Sequence, residues 1–110
     1  SIIDDTSKEY KMVGLFKFST TMIPKSMTLG YRQFKYNPPS GKSMQIKGHE
    51  FHYSSLTNNQ ETPQMSHNIR IKVQDGYRHK NCFALYTHIY WAGSPRWLNF
   101  IINKISSRQL

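Results

Sequence analysis

Cysteine is nearly absent from this sequence, since Cys82 is the one thiol among 110 residues. A single cysteine excludes an internal disulfide, and it also excludes a zinc site built from several thiolates. We therefore expect a reducing setting, with a cytoplasmic location. Cys82 itself is predicted to be a small buried hydrophobic side chain.

Acidic residues are also scarce, with six against fifteen lysines and arginines and a formal net charge of +9. Asp4, Asp5 and Glu9 lie in the first ten residues, so the remainder of the chain is strongly basic. A basic surface can serve nucleic acid, an acidic ligand or an acidic partner domain. It can equally be a solvated face without a partner, and composition leaves these alternatives open.

Long apolar runs are missing as well. No stretch approaches the roughly 20 residues of a membrane-spanning helix, so no membrane association is expected. Residues 1–10 are polar and acidic, unlike a signal peptide, which begins basic and then becomes apolar. No glycine-rich phosphate loop followed by Lys-Ser or Lys-Thr occurs, so no P-loop is expected in this chain.

The patterns that are present predict a β-rich chain with one C-terminal helix. Residues 1–10 are predicted to form a flexible N-terminal arm and residues 11–110 the folded segment. Extended segments are predicted at 11–18, 28–36, 43–53, 67–74 and 81–91. The connections predicted between them are a turn at 37–41, a polar loop at 57–66 and a hairpin turn at Asp75-Gly76.

Two of these segments carry side-chain patterns that define faces. Segment 67–74 is predicted to be a half-buried strand with Ile69, Ile71 and Val73 on one side. Ser94 and Pro95 suit the N-cap and first position of a helix. The apolar stripe of that helix is Trp97, Leu98, Ile101, Ile102 and Ile105. A strand followed by a helix that packs back on the sheet is typical of α/β proteins.

Three short motifs follow one another in a specific order. They are Leu29-Gly30-Tyr31-Arg32, then Gly48-His49-Glu50-Phe51-His52-Tyr53-Ser54, then Tyr86-Thr87-His88. From about Met12 to about Ile105, the chain resembles the C-terminal part of the glutamine amidotransferase domain of cobyrinic acid a,c-diamide synthases. The resemblance implies a β-rich fragment of a three-layer, flavodoxin-like α/β domain.

The resemblance also implies site residues. His88 matches the histidine that takes the proton of a cysteine nucleophile and passes it to leaving ammonia, a role that suits histidine near neutral pH. His52, Tyr53 and Glu50 are implied to lie beside the substrate glutamine. Because Glu50 and His52 face the same way on a strand, they equally fit a structural pair. Tyr90 stands where the family commonly has a second histidine.

Further parts of such an enzyme are implied to lie outside this chain: the cysteine nucleophile in a Gly-x-Cys-Gly-Gly turn, the upstream half of the domain, and a synthetase domain using ATP and Mg. Cys82 has no flanking glycines, and on one continuous strand it would lie about 20 Å from His88. We therefore expect this chain to be inactive alone. The complete enzyme would supply ammonia from glutamine for ATP-dependent amidation of the corrinoid carboxylates of cobyrinic acid. A homodimer is a further expected partner state.

Two other classes of function stay open. The charge, together with aromatic residues beside cations as in Tyr31-Arg32, fits a small basic β-rich binding module for nucleic acid or an acidic partner. Nucleic acid is the less expected partner, because the basic residues are dispersed. A regulatory remnant without activity is the other class. No metal site is expected from His49 and His52, since a three-residue spacing separates their side chains on a strand.

Overall fold

A computed structural model describes residues 1–38, 41–67, 70 and 73–107 of the chain. These residues form short strands around one long antiparallel pair, then a 3₁₀ turn at Trp91–Gly93 and one α-helix, α1 (Pro95–Ser106). The strands are β1 (Ile2–Ile3), β2 (Glu9–Tyr10), β3 (Ser19–Met22), β4 (Thr28–Tyr36), β5 (Met44–His52), β6 (Ser54–Thr57), β7 (Met65–His67), β8 (Gln74–Asp75), β9 (Tyr77–His79), β10 (Cys82–Ala84) and β11 (His88–Ile89). The predicted α/β class, rich in strands with a C-terminal helix, is confirmed.

The central sheet has the strand order β11-β5-β4-β7-β8, and its neighbouring strands are antiparallel. Its framework is the pair β4–β5, which runs in register from Thr28 opposite His52 to Tyr36 opposite Met44. β4 coincides with the predicted strand 28–36, and β5 lies within the predicted strand 43–53. Alternating burial along both strands gives the sheet two different faces.

A second sheet, the N-terminal sheet, has the order β2-β1-β3-β6. The first ten residues, for which a flexible arm is predicted, contain β1 and β2, and β1 pairs in parallel with β3. Residues 11–18 contain no strand, so the predicted extended segment is wrong there. The positive φ of Gly14, 75°, turns the backbone within this segment, and Val13 is left exposed.

The segment 67–74 reverses direction instead of continuing as one strand. β7 and β8 pair antiparallel, with Met65 opposite Asp75, and the His67 amide donates to the Val73 carbonyl at 3.0 Å. Ile69 and Ile71 of the predicted alternation, like part of the turn at 37–41, lie outside the described residues. Alternation of apolar and polar residues predicts a strand but carries no information on where the chain reverses direction. The prediction of one continuous strand at 67–74 is wrong for this reason.

The predicted hairpin at Asp75-Gly76 is also wrong. β8 belongs to the central sheet and β9 to a separate two-stranded hairpin with β10, so Gly76 links two sheets. The turn of that β9–β10 hairpin contains Lys80, which has a φ of 52°. Cys82 lies in this hairpin and is exposed, which corrects the expectation of a buried thiol.

The predicted long strand 81–91 is divided between two sheets. β10 pairs with β9, whereas β11 pairs with β5 at the edge of the central sheet. Between them the backbone bends at Tyr86 and Thr87, whose amides donate to the carboxylate of Asp75. The bend therefore lies where a side chain from another strand, β8, accepts two backbone hydrogen bonds.

Helix α1 covers one face of the central sheet, called here the inner face. The buried core between them consists of Phe34, Tyr36, Met44, Ile46, Met65 and Trp97. The ring centroids of Tyr36 and Trp97 lie 5.1 Å apart. Ile102 and Ile105 of the predicted apolar stripe are exposed, so the helix packs through a narrower face than predicted. Within the described ranges, no helix is long and apolar enough to cross a membrane.

Candidate functional site

The opposite, outer face of the central sheet carries a row of rings that crosses three strands. Tyr31 on β4 stands opposite His49 on β5, which stands opposite His88 on β11. The ring centroids are 5.6 Å apart for Tyr31 and His49 and 6.5 Å apart for His49 and His88. Directly opposed residues of antiparallel strands point to the same side, so the exposed His88 belongs to the outer face.

An open depression surrounds this row, with a volume of about 860 Å³. Lys47 and Tyr90 line it together with the three rings, and the Tyr90 amide donates to the Lys47 carbonyl at 2.8 Å. This hydrogen bond extends the pairing of β11 with β5 beyond Ile89. The depression therefore combines a solvent-accessible imidazole with a cation that suits a carboxylate ligand.

Gly48 explains how β11 reaches β5 so closely. A Cβ atom at this position would lie 2.5 Å from the His88 carbonyl oxygen and would also collide with the Thr87 methyl group. Real side chains do not tolerate such contacts, so a larger residue would displace β11. Gly48 thus contributes to the position of His88, because a residue without a side chain lets β11 lie this close to β5.

A polar cluster lies on the inner face at the end of the same strands. Arg32 Nη2 and Glu50 Oε2 form an ion pair at 3.1 Å, and Arg32 Nε donates to the same oxygen at 3.2 Å. The His52 Nε2 atom lies 3.8 Å from that oxygen. The proximity of Glu50 and His52 agrees with the strand pattern, while Arg32 is a nearer partner that sequence reasoning missed.

The ring of His52 connects this cluster to the third motif. Its Nδ1 atom lies 2.8 Å from the Ser54 carbonyl oxygen, which can only accept, so Nδ1 carries a proton. The ring stacks on Tyr86 with centroids 3.7 Å apart, and the Tyr86 hydroxyl lies 2.8 Å from Ser54 Oγ. Among the described residues, His52 Nε2 has no hydrogen-bond partner. His52 therefore contacts a residue two positions before His88.

Asp75 is a further polar residue of this region, and its role is not apparent from the sequence. It is 2% exposed and accepts three hydrogen bonds from the segment that leads into β11. These come from the Tyr86 amide at 3.2 Å, the Thr87 amide at 2.9 Å and the Thr87 hydroxyl at 2.7 Å. Burial raises the pKa of the neighbouring Tyr77, and the charge of Asp75 acts in the same direction.

The predicted site residues do not meet in one cluster. His88 points to the outer face, whereas Glu50 and His52 point to the inner face. Tyr53 follows the end of β5, is partly exposed, and packs against Phe51 with ring centroids 5.8 Å apart. The described residues contain no group of three or more histidine, cysteine or acidic side chains able to hold a metal ion. The catalytic and substrate-binding roles therefore remain predictions.

Comparison with known proteins identifies the family. A family model described as the CobB/CobQ-like glutamine amidotransferase domain matches residues 1–96, and the chain belongs to this family. It is 36% identical to the cobyrinate a,c-diamide synthase of Priestia megaterium over 98 residues, which are 84% of this chain and 21% of that protein. The resemblance seen in the motifs is confirmed.

Other relatives carry the same name. The chain is 33% identical to the cobyrinate a,c-diamide synthase of Caldanaerobacter subterraneus subsp. tengcongensis, covering 89% of this chain and 24% of the relative. It is also 33% identical to that of a Synechococcus strain, covering 91% of this chain and 23% of the relative. The chain thus spans less than a quarter of the length of these relatives. No solved structure matches it significantly.

Proposed function

We propose that this chain forms the C-terminal part of a glutaminase site in a larger amidotransferase of the cobyrinate a,c-diamide synthase type. The observation that supports this most directly is the placement of His88. It is exposed in the outer-face depression, while its backbone is held against β5. A proton-transfer residue needs both properties, a fixed backbone and access for the reacting groups.

In the proposed mechanism, the neutral imidazole of His88 accepts the proton of a cysteine thiol supplied by another part of the complete protein. The thiolate attacks the side-chain amide carbon of glutamine, and His88 returns the proton to the leaving ammonia. Water then hydrolyses the thioester to glutamate and regenerates the thiol. Cys82 is not assigned as this nucleophile, because it lies on the β9–β10 hairpin, outside the central sheet.

The ammonia would serve amidation of corrinoid carboxylates, as the name of the relatives indicates. The proposal assigns ATP and Mg²⁺ to that step, and it assigns them to the synthetase part of the complete protein. No residue of this chain is given a role in it. The positive charge of the chain is compatible with a polyanionic substrate such as cobyrinic acid.

Two roles for the second motif can be separated by kinetics. If His52, Tyr53 and Glu50 hold the amino-acid end of glutamine, His52→Asn raises the KM for glutamine and leaves kcat nearly unchanged. If His52 instead supports Tyr86 from the inner face, the same change lowers kcat. The stacking of His52 on Tyr86, on the face opposite to His88, favours the second role.

The first prediction tests His88 in the complete protein. His88→Asn should lower glutamine-driven amidation by roughly 10²–10⁴-fold, because a positioned proton-transfer group is lost. Amidation driven by added ammonium should stay unchanged, because it needs no glutamine hydrolysis. The measurement is the rate of amidated product with each nitrogen source.

His79→Asn is the matched control, because His79 lies on β9, away from the depression. It should leave both rates unchanged. Near-normal glutamine use by folded His88→Asn, or equal loss with both nitrogen sources, would refute the proposed role.

A further inference from the structure

Asp75 links the two edges of the central sheet. It belongs to β8 at one edge, where it pairs with Met65 of β7. Its carboxylate accepts hydrogen bonds from Tyr86 and Thr87, which lead into β11 at the other edge. A buried carboxylate is costly unless its oxygens are satisfied, and here both oxygens are used on this one segment.

The three residues of the third motif are each held by a different contact. Tyr86 stacks on His52, Thr87 is bound twice by Asp75, and His88 pairs with His49 across β5–β11. The bend at Tyr86 and Thr87 separates β10 from β11, so it determines where β11 begins. Without it, the unbroken extended segment predicted at 81–91 favours one straight strand.

From this geometry we infer that Asp75 is a positioning residue for His88, acting through the backbone and hydroxyl of Thr87. The inference rests on the proposed function of His88 and extends it to a residue that touches neither substrate nor nucleophile. Loss of the Asp75 contacts would let the Tyr86–Thr87 bend relax and would shift His88 relative to β5. Misplacement of a catalytic group by about 1 Å costs on the order of 10²-fold in rate.

The test uses Asp75→Asn in the complete protein. Asparagine keeps the shape but replaces one of the two accepting oxygens with an NH₂ group, which cannot accept a hydrogen bond from the Tyr86 or Thr87 amide that it faces. We expect kcat for glutamine-driven amidation to fall on the order of 10²-fold, with little change in KM and no change in the ammonium-driven rate. Amide hydrogen exchange of the peptide spanning 85–89 should accelerate, while that of the β4–β5 pair should not.

Two substitutions of Thr87 test the same contact with a smaller risk of misfolding than Asp75→Asn. Thr87→Val removes the hydroxyl that donates to Asp75 and should lower the glutamine-driven kcat by roughly fivefold, the effect of one hydrogen bond. Thr87→Ser restores a hydroxyl and should recover the rate. Thr57→Val is the matched control, since it removes a comparable part-buried hydroxyl contact, with Thr21 at 2.8 Å in the N-terminal sheet. It should leave kcat unchanged.

The outcomes separate the two proposals. Unchanged exchange of 85–89 in Asp75→Asn, loss of both nitrogen sources together, or failure of Thr87→Ser to recover the rate would each overturn the positioning role. If His88→Asn keeps glutamine use, the proposed function of His88 fails, whereas faster exchange of 85–89 would still show that Asp75 holds the segment.

Discussion

The two faces of the central sheet use the same two strands for different purposes. On the inner face, Phe34 and Ile46 are fully buried and pack with Trp97 of α1. On the outer face, Tyr31 is 87% exposed and Phe51 is 49% exposed. Because side chains alternate along a strand, one strand pair supplies both the core and the open surface that carries His88.

Under the proposed function, catalysis and structural support fall on different faces of the sheet. The outer face offers accessible rings and Lys47, which are suitable for contact with a ligand. The inner face holds the ion pair of Arg32 and Glu50, and it holds the ring of His52, which stacks on Tyr86 in the segment before β11. Conserving the strand register therefore matters for both, since a shift by one residue would exchange the faces.

Among substitutions that distinguish the two faces, those on the inner face should cause the largest loss of stability. Trp97→Ala removes the side chain at the centre of the core and should lower the free energy of unfolding by about 3–5 kcal/mol. Such a loss is a large share of the roughly 5–15 kcal/mol that stabilises a typical domain. Urea denaturation followed by far-UV circular dichroism measures it.

Trp91→Ala is the control for this prediction, because Trp91 is exposed in the 3₁₀ turn. It should change stability much less than Trp97→Ala. Equal effects of the two substitutions would mean that the inner face is not the core of the fold.

An intermediate effect is expected where the two faces are mechanically coupled. Gly48→Ala places a Cβ atom against Thr87 and the His88 carbonyl, and overpacking of this kind costs about 1–3 kcal/mol. We expect lower stability and faster amide exchange in β11. Gly30→Ala is the contrasting variant, since its Cβ would meet the end of the flexible Arg32 side chain.

Chemical denaturation and hydrogen exchange of both glycine variants make the measurement. Gly48→Ala should be the more damaging of the two. If Gly48→Ala were as stable as the parent and kept slow amide exchange at His88, the close approach of β11 to β5 would not be needed to place His88.

The smallest effect on stability is expected on the outer face. Leu29 and Phe51 stand opposite each other there and are both exposed. Replacing both with serine should change the free energy of unfolding by no more than about 1 kcal/mol in total, because surface changes are usually small. Exposed apolar patches drive association, so the same double variant should reduce self-association of the 110-residue chain.

Sedimentation equilibrium over a range of protein concentrations tests this last prediction. Ile105→Ser is the matched control, because Ile105 is an exposed apolar residue of α1 on the other side of the sheet. Association that weakens equally in both variants, or in neither, would exclude the outer face as the contact surface.

Several elements were predictable because their signals are local. The predicted strands 28–36 and 43–53 contain the whole of β4 and β5, and Ser94-Pro95 predicted the start of α1. The hydroxyl of Ser94 nevertheless accepts from the Lys47 amide at 3.0 Å instead of capping the helix. The residue type was informative about position, while its hydrogen bond was set by the packing of α1 against β5.

Other elements failed because non-local partners decide them. The predicted strand 81–91 is continuous, yet the backbone bends at Tyr86 and Thr87, whose amides donate to Asp75, more than ten residues away. The reversal between β7 and β8 likewise depends on pairing at the sheet edge. Neither signal can be read from a window of neighbouring residues, since the deciding contacts join distant parts of the chain.

The sequence by itself determined the family, the central strand pair, the C-terminal helix and the identity of His88 as the residue of greatest interest. These follow from local periodicity and from the order of short motifs. The tertiary structure decided which residues share a face, because strand pairing places His88 opposite His49 and separates it from Glu50 and His52. The tertiary structure also determined the hydrogen-bond donors of Asp75, because a buried carboxylate needs donors and the fold decides which residues supply them.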